Sequence, residues 1–120
     1  MRKYFISRRK SFGFAFKGIS TVYKTQPNAR IHLVAAIVAI SAGFYFNISG
    51  TEWLFISVAI GIVWLAEAFN TALEYLTDLA SPQFHALAEK AKDSAAAAVL
   101  IAAFLALVIA GIIFLPKIWF

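Results

Sequence analysis

Cysteine is absent, which excludes disulfide bonds and thiolate chemistry. Acidic residues are scarce: there are six in 120, none before Glu52, while the first 51 residues hold eight lysines and arginines. A segment so one-sided suits an anionic membrane surface or a phosphate-bearing ligand. Charge of either sign is thin. Charged residues make up 14% of the chain, hydrophobic residues 62%, and the mean hydropathy is +0.78. A soluble domain carries about 25% charged and about half apolar residues. The chain therefore reads as an integral membrane protein, and its length predicts one domain. Nucleic acid is set aside as a partner despite the net charge of +5, because so much of the chain is committed to lipid. Glycine is sparse too. The six glycines, at 13, 18, 43, 50, 61 and 111, form no Walker-type loop of the kind that cradles phosphate. The opening Met1-Arg-Lys-Tyr-Phe-Ile-Ser-Arg-Arg-Lys10 interrupts its apolar residues with charge too soon for a cleavable signal peptide.

Residues 3–25 read as an amphipathic surface helix. Phe5, Phe12, Phe16, Ile19 and Tyr23 recur at helical spacing, and Arg8, Arg9, Lys10, Lys17 and Lys24 supply charge. Pro27 is expected to end it, since the residue before a proline is pushed out of the helical region. Membrane spans are expected at about 31–48, 52–76 and 94–115. Asn47-Ile-Ser-Gly50 is a tight turn between the first two. Residues 77–93 read as a polar connection in which Ser81-Pro82 should restart a helix, as an N-cap followed by proline at the first helical position. The third span opens with Ala95 to Ala98, small enough for close helix approach. Lysine and arginine placement puts the N-terminal segment and the 77–93 connection, with Lys90 and Lys92, in the cytoplasm. The 47–51 turn then lies outside, and Lys117 with it as an exception. The expected fold is an all-α membrane protein, one domain over 1–120, with a surface helix and three transmembrane helices.

What stands out against this background is a set of acids at the end of the second span. Asn70, Glu74 and Asp78 follow Glu67 at offsets of three, seven and eleven, which places all four within roughly an 80° arc of one helix face. Carboxylates beside a bilayer are costly and default to a functional-site hypothesis. With the expected topology they face the basic helix and Lys92, where cytoplasmic nucleotide and membrane lipid can meet. Phosphoryl transfer needs a metal to bridge phosphates, cations to offset their charge, and a base to aim the nucleophile. Glu74 and a second oxygen ligand suffice for magnesium, which is held by one or two carboxylates plus substrate phosphates. Glu67, one to two turns deeper, suits a general base for a lipid hydroxyl. Lys92 and the N-terminal arginines suit the phosphates.

Glu67-Ala-Phe-Asn70-Thr-Ala-Leu-Glu74-Tyr-Leu-Thr-Asp78 resembles the signature of the bacterial integral-membrane diacylglycerol kinases, which include undecaprenol kinases. Thr77 stands where the pattern has valine. His85-Ala-Leu-Ala-Glu-Lys-Ala-Lys92-Asp93 and Ser11-Phe-Gly-Phe-Ala-Phe-Lys17-Gly18 match as well, so the resemblance covers nearly the whole chain. It implies a homotrimer in the bacterial plasma membrane, with active sites shared between subunits. It implies transfer of the ATP γ-phosphate, with magnesium, to the primary hydroxyl of a membrane lipid. By matching position, Glu67 would be the base, Glu74 a magnesium ligand and Asn70 a group orienting phosphate or lipid. Lys92 would hold the γ-phosphate, and Asp93 and Asp78 would shape the nucleotide site. Arg8 or Arg9, Lys10, Lys17 and His85 are further candidates for nucleotide or phosphate contact. One departure matters. The family's glutamate after the surface helix, which shares the magnesium, is here Gln26, whose amide oxygen can ligate a metal but brings no charge. Asn28-Ala-Arg-Ile-His32 and Ile113-Phe-Leu-Pro-Lys117 look more like the undecaprenol branch.

Blander assignments stand beside these. Glu67 and Glu74 could pair structurally with cations, and Asn70 could be interhelical glue. His85 and Glu89 could be solvated. Trp53, Trp64 and Trp119 read as interface anchors or packing, and Glu52 as a helix cap. A non-catalytic cation or proton conductor is the rival from another class. A lipid-binding module with a degenerate kinase site is a third possibility, motivated by Gln26.

Overall fold

The computed structural model describes residues 1–119, in the order α1 (Arg2–Thr25), α2 (Pro27–Tyr45), α3 (Gly50–Ala80) and α4 (Ala86–Trp119). The last three are each long and apolar enough to cross a membrane. Pro27 both ends one helix and begins the next. Gln26 is driven to an extended conformation (φ −109°, ψ 107°), and Pro27, already fixed near helical φ, opens α2. Arg30 then reaches back across the break. Its Nε donates to the Tyr23 carbonyl at 3.2 Å and its Nη2 to the Lys24 carbonyl at 3.0 Å, capping the end of α1.

The α2–α3 turn is held by local chemistry at both ends. Asn47 takes the left-handed conformation (φ 50°) that closes a helix. The Ile48 amide donates to the Gly43 carbonyl at 3.1 Å, and the Asn47 amide to that of Phe44 at 3.3 Å. Ser49 caps α3 in a reciprocal box with Glu52, as expected of that acid. Gly43 is required here. A Cβ on it would sit 2.5 Å from the Trp53 ring, which packs flush on that glycine and 4.9 Å from the Phe44 ring. Lys117, near the end of α4, pairs with Glu52 at 2.9 Å, so the one outlying lysine at this end has an acid partner.

The α3–α4 pair forms the most extensive contact in the molecule. On α3 the buried positions are Ile56, Ala59, Val63, Glu67, Asn70 and Thr71, spaced by three and four as one helix face. Ala95, Val99, Ala102 and Ile113 face them from α4. The small residues allow the close backbone approach that drives helix association in lipid, where the hydrophobic effect is lost. The α3 stripe is apolar for two thirds of its length and then turns polar without changing face. That continuity makes Glu67, Asn70 and Thr71 part of the packing surface.

The molecule measures 53 × 48 × 20 Å. The 34-residue α4 accounts for one long dimension at about 51 Å. Helix α1 buries only Val22. Its aromatic residues Phe5, Phe12, Phe14 and Phe16 are all exposed, as a headgroup-embedded helix requires.

The connection between the second and third spans differs from the reading of the sequence. Helix α3 runs on to Ala80 and α4 begins at Ala86, so only residues 81–85 are non-helical. The polar residues on either side continue the helices beyond the apolar zone. Ser81-Pro82 does not restart a helix: the Ser81 hydroxyl donates to the Gln83 carbonyl at 2.8 Å, inside the turn. His85 caps α4 instead, its Nδ1 accepting the Leu87 amide at 3.0 Å.

Candidate active site

At one end of the bundle, the end of α1, the last third of α3 and the start of α4 meet. Glu67 is 1% exposed and Asn70 6%, both on the stripe that packs against α4. One turn on, Glu74 is half-buried and holds two amides. Gln26 Nε2 donates to its Oε2 at 3.1 Å, and Asn70 Nδ2 donates to its Oε1 at 3.1 Å. Gln26 reaches it across 48 positions of sequence because the break at Pro27 leaves that side chain at the root of α1. A further turn on, Asp78 pairs with Lys92 from α4. Thr71 adds a buried hydroxyl that donates to the Glu67 carbonyl at 2.9 Å.

The donor set around Glu74 suits a hard, oxygen-seeking cation. Asn70 Oδ1 is buried and lacks a hydrogen-bond partner, and a half-turn of either amide would present oxygen instead of N–H to the space at Glu74. One carboxylate and two amide oxygens match magnesium chemistry when substrate phosphates supply the remaining ligands and charge. Among the described residues no group of three or more histidines or acids gathers as a metal site. A magnesium ion at Glu74 would therefore need phosphate oxygens to complete its ligand set.

Several candidates lie apart from this centre within one chain. Arg9 and Lys10 sit 17 and 16 residues before Gln26, roughly 24–26 Å along α1. Lys17 lies over the Phe14 ring, 5.7 Å from its centroid, and Arg8 over that of Tyr4 at 5.6 Å. Asp93 is exposed beside Lys92, and the His85 ring is engaged at Nδ1 in capping.

The sequence reading assigned no role to His32, which stands against Glu67 with Nε2 3.3 Å from Oε1. A signal was present: His32 is the only histidine, acid or base between 31 and 48, and an ionisable residue inside a span is a functional candidate by default. It also lies at the site end of an apolar groove of about 600 Å³ between α2, α3 and α4, lined by residues such as Ala35, Ala39, Val63 and Ala106.

Three membrane-length helices with a buried glutamate, a carboxylate–amide cluster and a lysine gathered at one end define a small integral-membrane protein with a polar centre. Comparison with known proteins places it further. The prokaryotic diacylglycerol kinase family profile matches residues 13–114. The chain is 40% identical to an undecaprenol kinase of Bacillus subtilis over 90% of its length and 88% of the relative's. It is 37% identical to a diacylglycerol kinase of Synechocystis over 88% of its length and 61% of the relative's. Identity to a diacylglycerol kinase of Escherichia coli is 26%, over 82% of this chain and 81% of that one. The chain belongs to the prokaryotic diacylglycerol kinase family. It is a membrane lipid kinase, with ATP as the co-substrate that such a kinase uses.

Proposed function

We propose that the protein transfers the γ-phosphate of ATP to the primary hydroxyl of diacylglycerol or undecaprenol at the cytoplasmic face of a bacterial plasma membrane. The observation that carries this assignment is the convergence of Gln26, Asn70 and Glu74 within two turns of buried Glu67. Glu67 accepts the hydroxyl proton. The alkoxide oxygen forms a bond to the γ-phosphorus, the bond from that phosphorus to the β–γ bridging oxygen breaks, and ADP departs with the electron pair. Glu74 and the amide oxygens of Gln26 and Asn70 would hold magnesium. When bound, it offsets the charge of the β- and γ-phosphates. Lys92 exchanges Asp78 for the γ-phosphate, and Asp78 and Asp93 border the nucleotide. The groove that starts at His32 suits an apolar lipid tail.

The assembly is a homotrimer in this proposal. Arg9 and Lys10 lie too far along α1 to serve the site of their own chain, and they contribute to a neighbour's. The N-terminus is cytoplasmic, consistent with eight basic and no acidic residues before Glu52. A conductor is disfavoured because the polar stripe fills only one end of α3, while among the described residues α2 and α4 bury no polar side chain.

The test is transfer of label from γ-labelled ATP in detergent–lipid micelles with magnesium, offering diacylglycerol and undecaprenol separately. Label in either lipid establishes the reaction and names the acceptor. No label in either, from a folded oligomer beside a working control enzyme, would favour a site degenerated at Gln26.

A further inference from the structure

We propose that His32 is a positioning residue for Glu67, holding one carboxylate oxygen so that the other faces the lipid hydroxyl. The proposal rests on the assignment of Glu67 as the base. Glu67 Oε1 is fully buried and has no aligned hydrogen-bond donor, yet His32 Nε2 stands 3.3 Å away. A small rotation of the imidazole aligns Nε2–H with Oε1. Among the described residues no lysine or arginine pairs with Glu67, so the histidine is the one nitrogen base set against its carboxylate. The ring is partly exposed, at 18%, and lines the groove that suits the lipid tail. An acceptor entering there passes His32 before its hydroxyl meets Glu67.

A glutamate side chain has three torsions, and burial confines the carboxylate without fixing which oxygen meets the hydroxyl. Clamping Oε1 from α2 removes that freedom and leaves Oε2 to receive the proton. The arrangement also explains why a polar ring is placed on an α2 face otherwise built from alanine and aliphatic side chains.

The experiment is a double-mutant cycle read by kcat and by KM for each substrate. His32→Ala and His32→Gln are made in the wild-type chain and in Glu67→Asp, with the oligomer verified by size exclusion in detergent. His32→Ala should lower kcat about 10- to 100-fold, the loss seen when a partner that orients a reacting group is removed. KM for MgATP should stay within about twofold. In Glu67→Asp, whose carboxylate is withdrawn by one methylene, the same change should cost only about twofold, because the contact is already broken. His32→Gln, whose Nε2 can donate from nearly the same place, should recover part of kcat. It also carries the test if the alanine variant does not fold.

An unchanged kcat, an equal loss in both Glu67 backgrounds, or an effect on lipid KM alone would overturn the role of His32. Glu67→Gln separates the two assignments. Normal turnover in that variant removes the base itself, whereas a dead Glu67→Gln with a fully active His32→Ala removes only the histidine.

Discussion

Restoring a carboxylate at position 26 reports directly on whether this side chain meets the metal. In the wild type the Gln26 amide donates to Glu74 Oε2 at 3.1 Å. In Gln26→Glu that hydrogen bond is replaced by two negative charges at about the same separation. At an effective dielectric of 20, unit charges 4 Å apart repel by about 4 kcal/mol. Both side chains are half-buried, and solvent screening reduces such a pair to about 1 kcal/mol. A divalent cation relieves that repulsion, so the free energy returns as metal affinity. The free magnesium concentration giving half-maximal rate should fall about fivefold at fixed ATP. The assay is initial rate of label transfer against free magnesium for both proteins at one ATP concentration, so magnesium–ATP association cancels. Thermal unfolding should agree: the variant is less stable in chelator and gains more from magnesium. An unchanged or raised magnesium requirement would refute the placement of Gln26 at the metal.

Glu67→Gln should abolish transfer while leaving oligomer and helix content intact, as checked by size exclusion and circular dichroism. Lys92→Ala should lower kcat/KM for MgATP by about 100-fold or more, since a cation aimed at developing phosphoryl charge is lost. Gly43→Ala places a methyl 2.5 Å from the Trp53 ring, and should destabilise by about 1–3 kcal/mol, read as a lower Tm in detergent. Glu52→Ala removes both the Ser49 box and the Lys117 pair; it should lower Tm without changing kcat, because this end of the bundle is remote from the chemistry.

The sequence was legible where the signal is local. Helical periodicity alone puts Glu67, Asn70, Glu74 and Asp78 on one face, and the structure has all four on the side of α3 that meets its partners. Gln26, marked only through family resemblance, is in contact with Glu74. Ser81-Pro82 misled because its residue types satisfy a helix start equally well in a turn. What decides between them is where the backbone bonds go, and His85 takes the capping bond.

The spans, the break at Pro27, the Ser49–Glu52 cap and the polar stripe all follow from residues within a few positions of one another. Sterics at φ and ψ and a 3.6-residue repeat act over that range. Tertiary packing alone decided that Gln26 reaches Glu74, that His32 backs Glu67, that Trp53 lies on Gly43 and that Lys117 answers Glu52. Most of these pairs are separated by many turns of helix, and even Gly43 and Trp53 lie on opposite sides of a chain reversal. No periodicity encodes them, because each depends on how two helices are rotated and staggered against each other. That choice is made by the summed packing of whole helices, α4 on α3 for Glu52 and Lys117 and α1 and α2 on α3 for the other pairs.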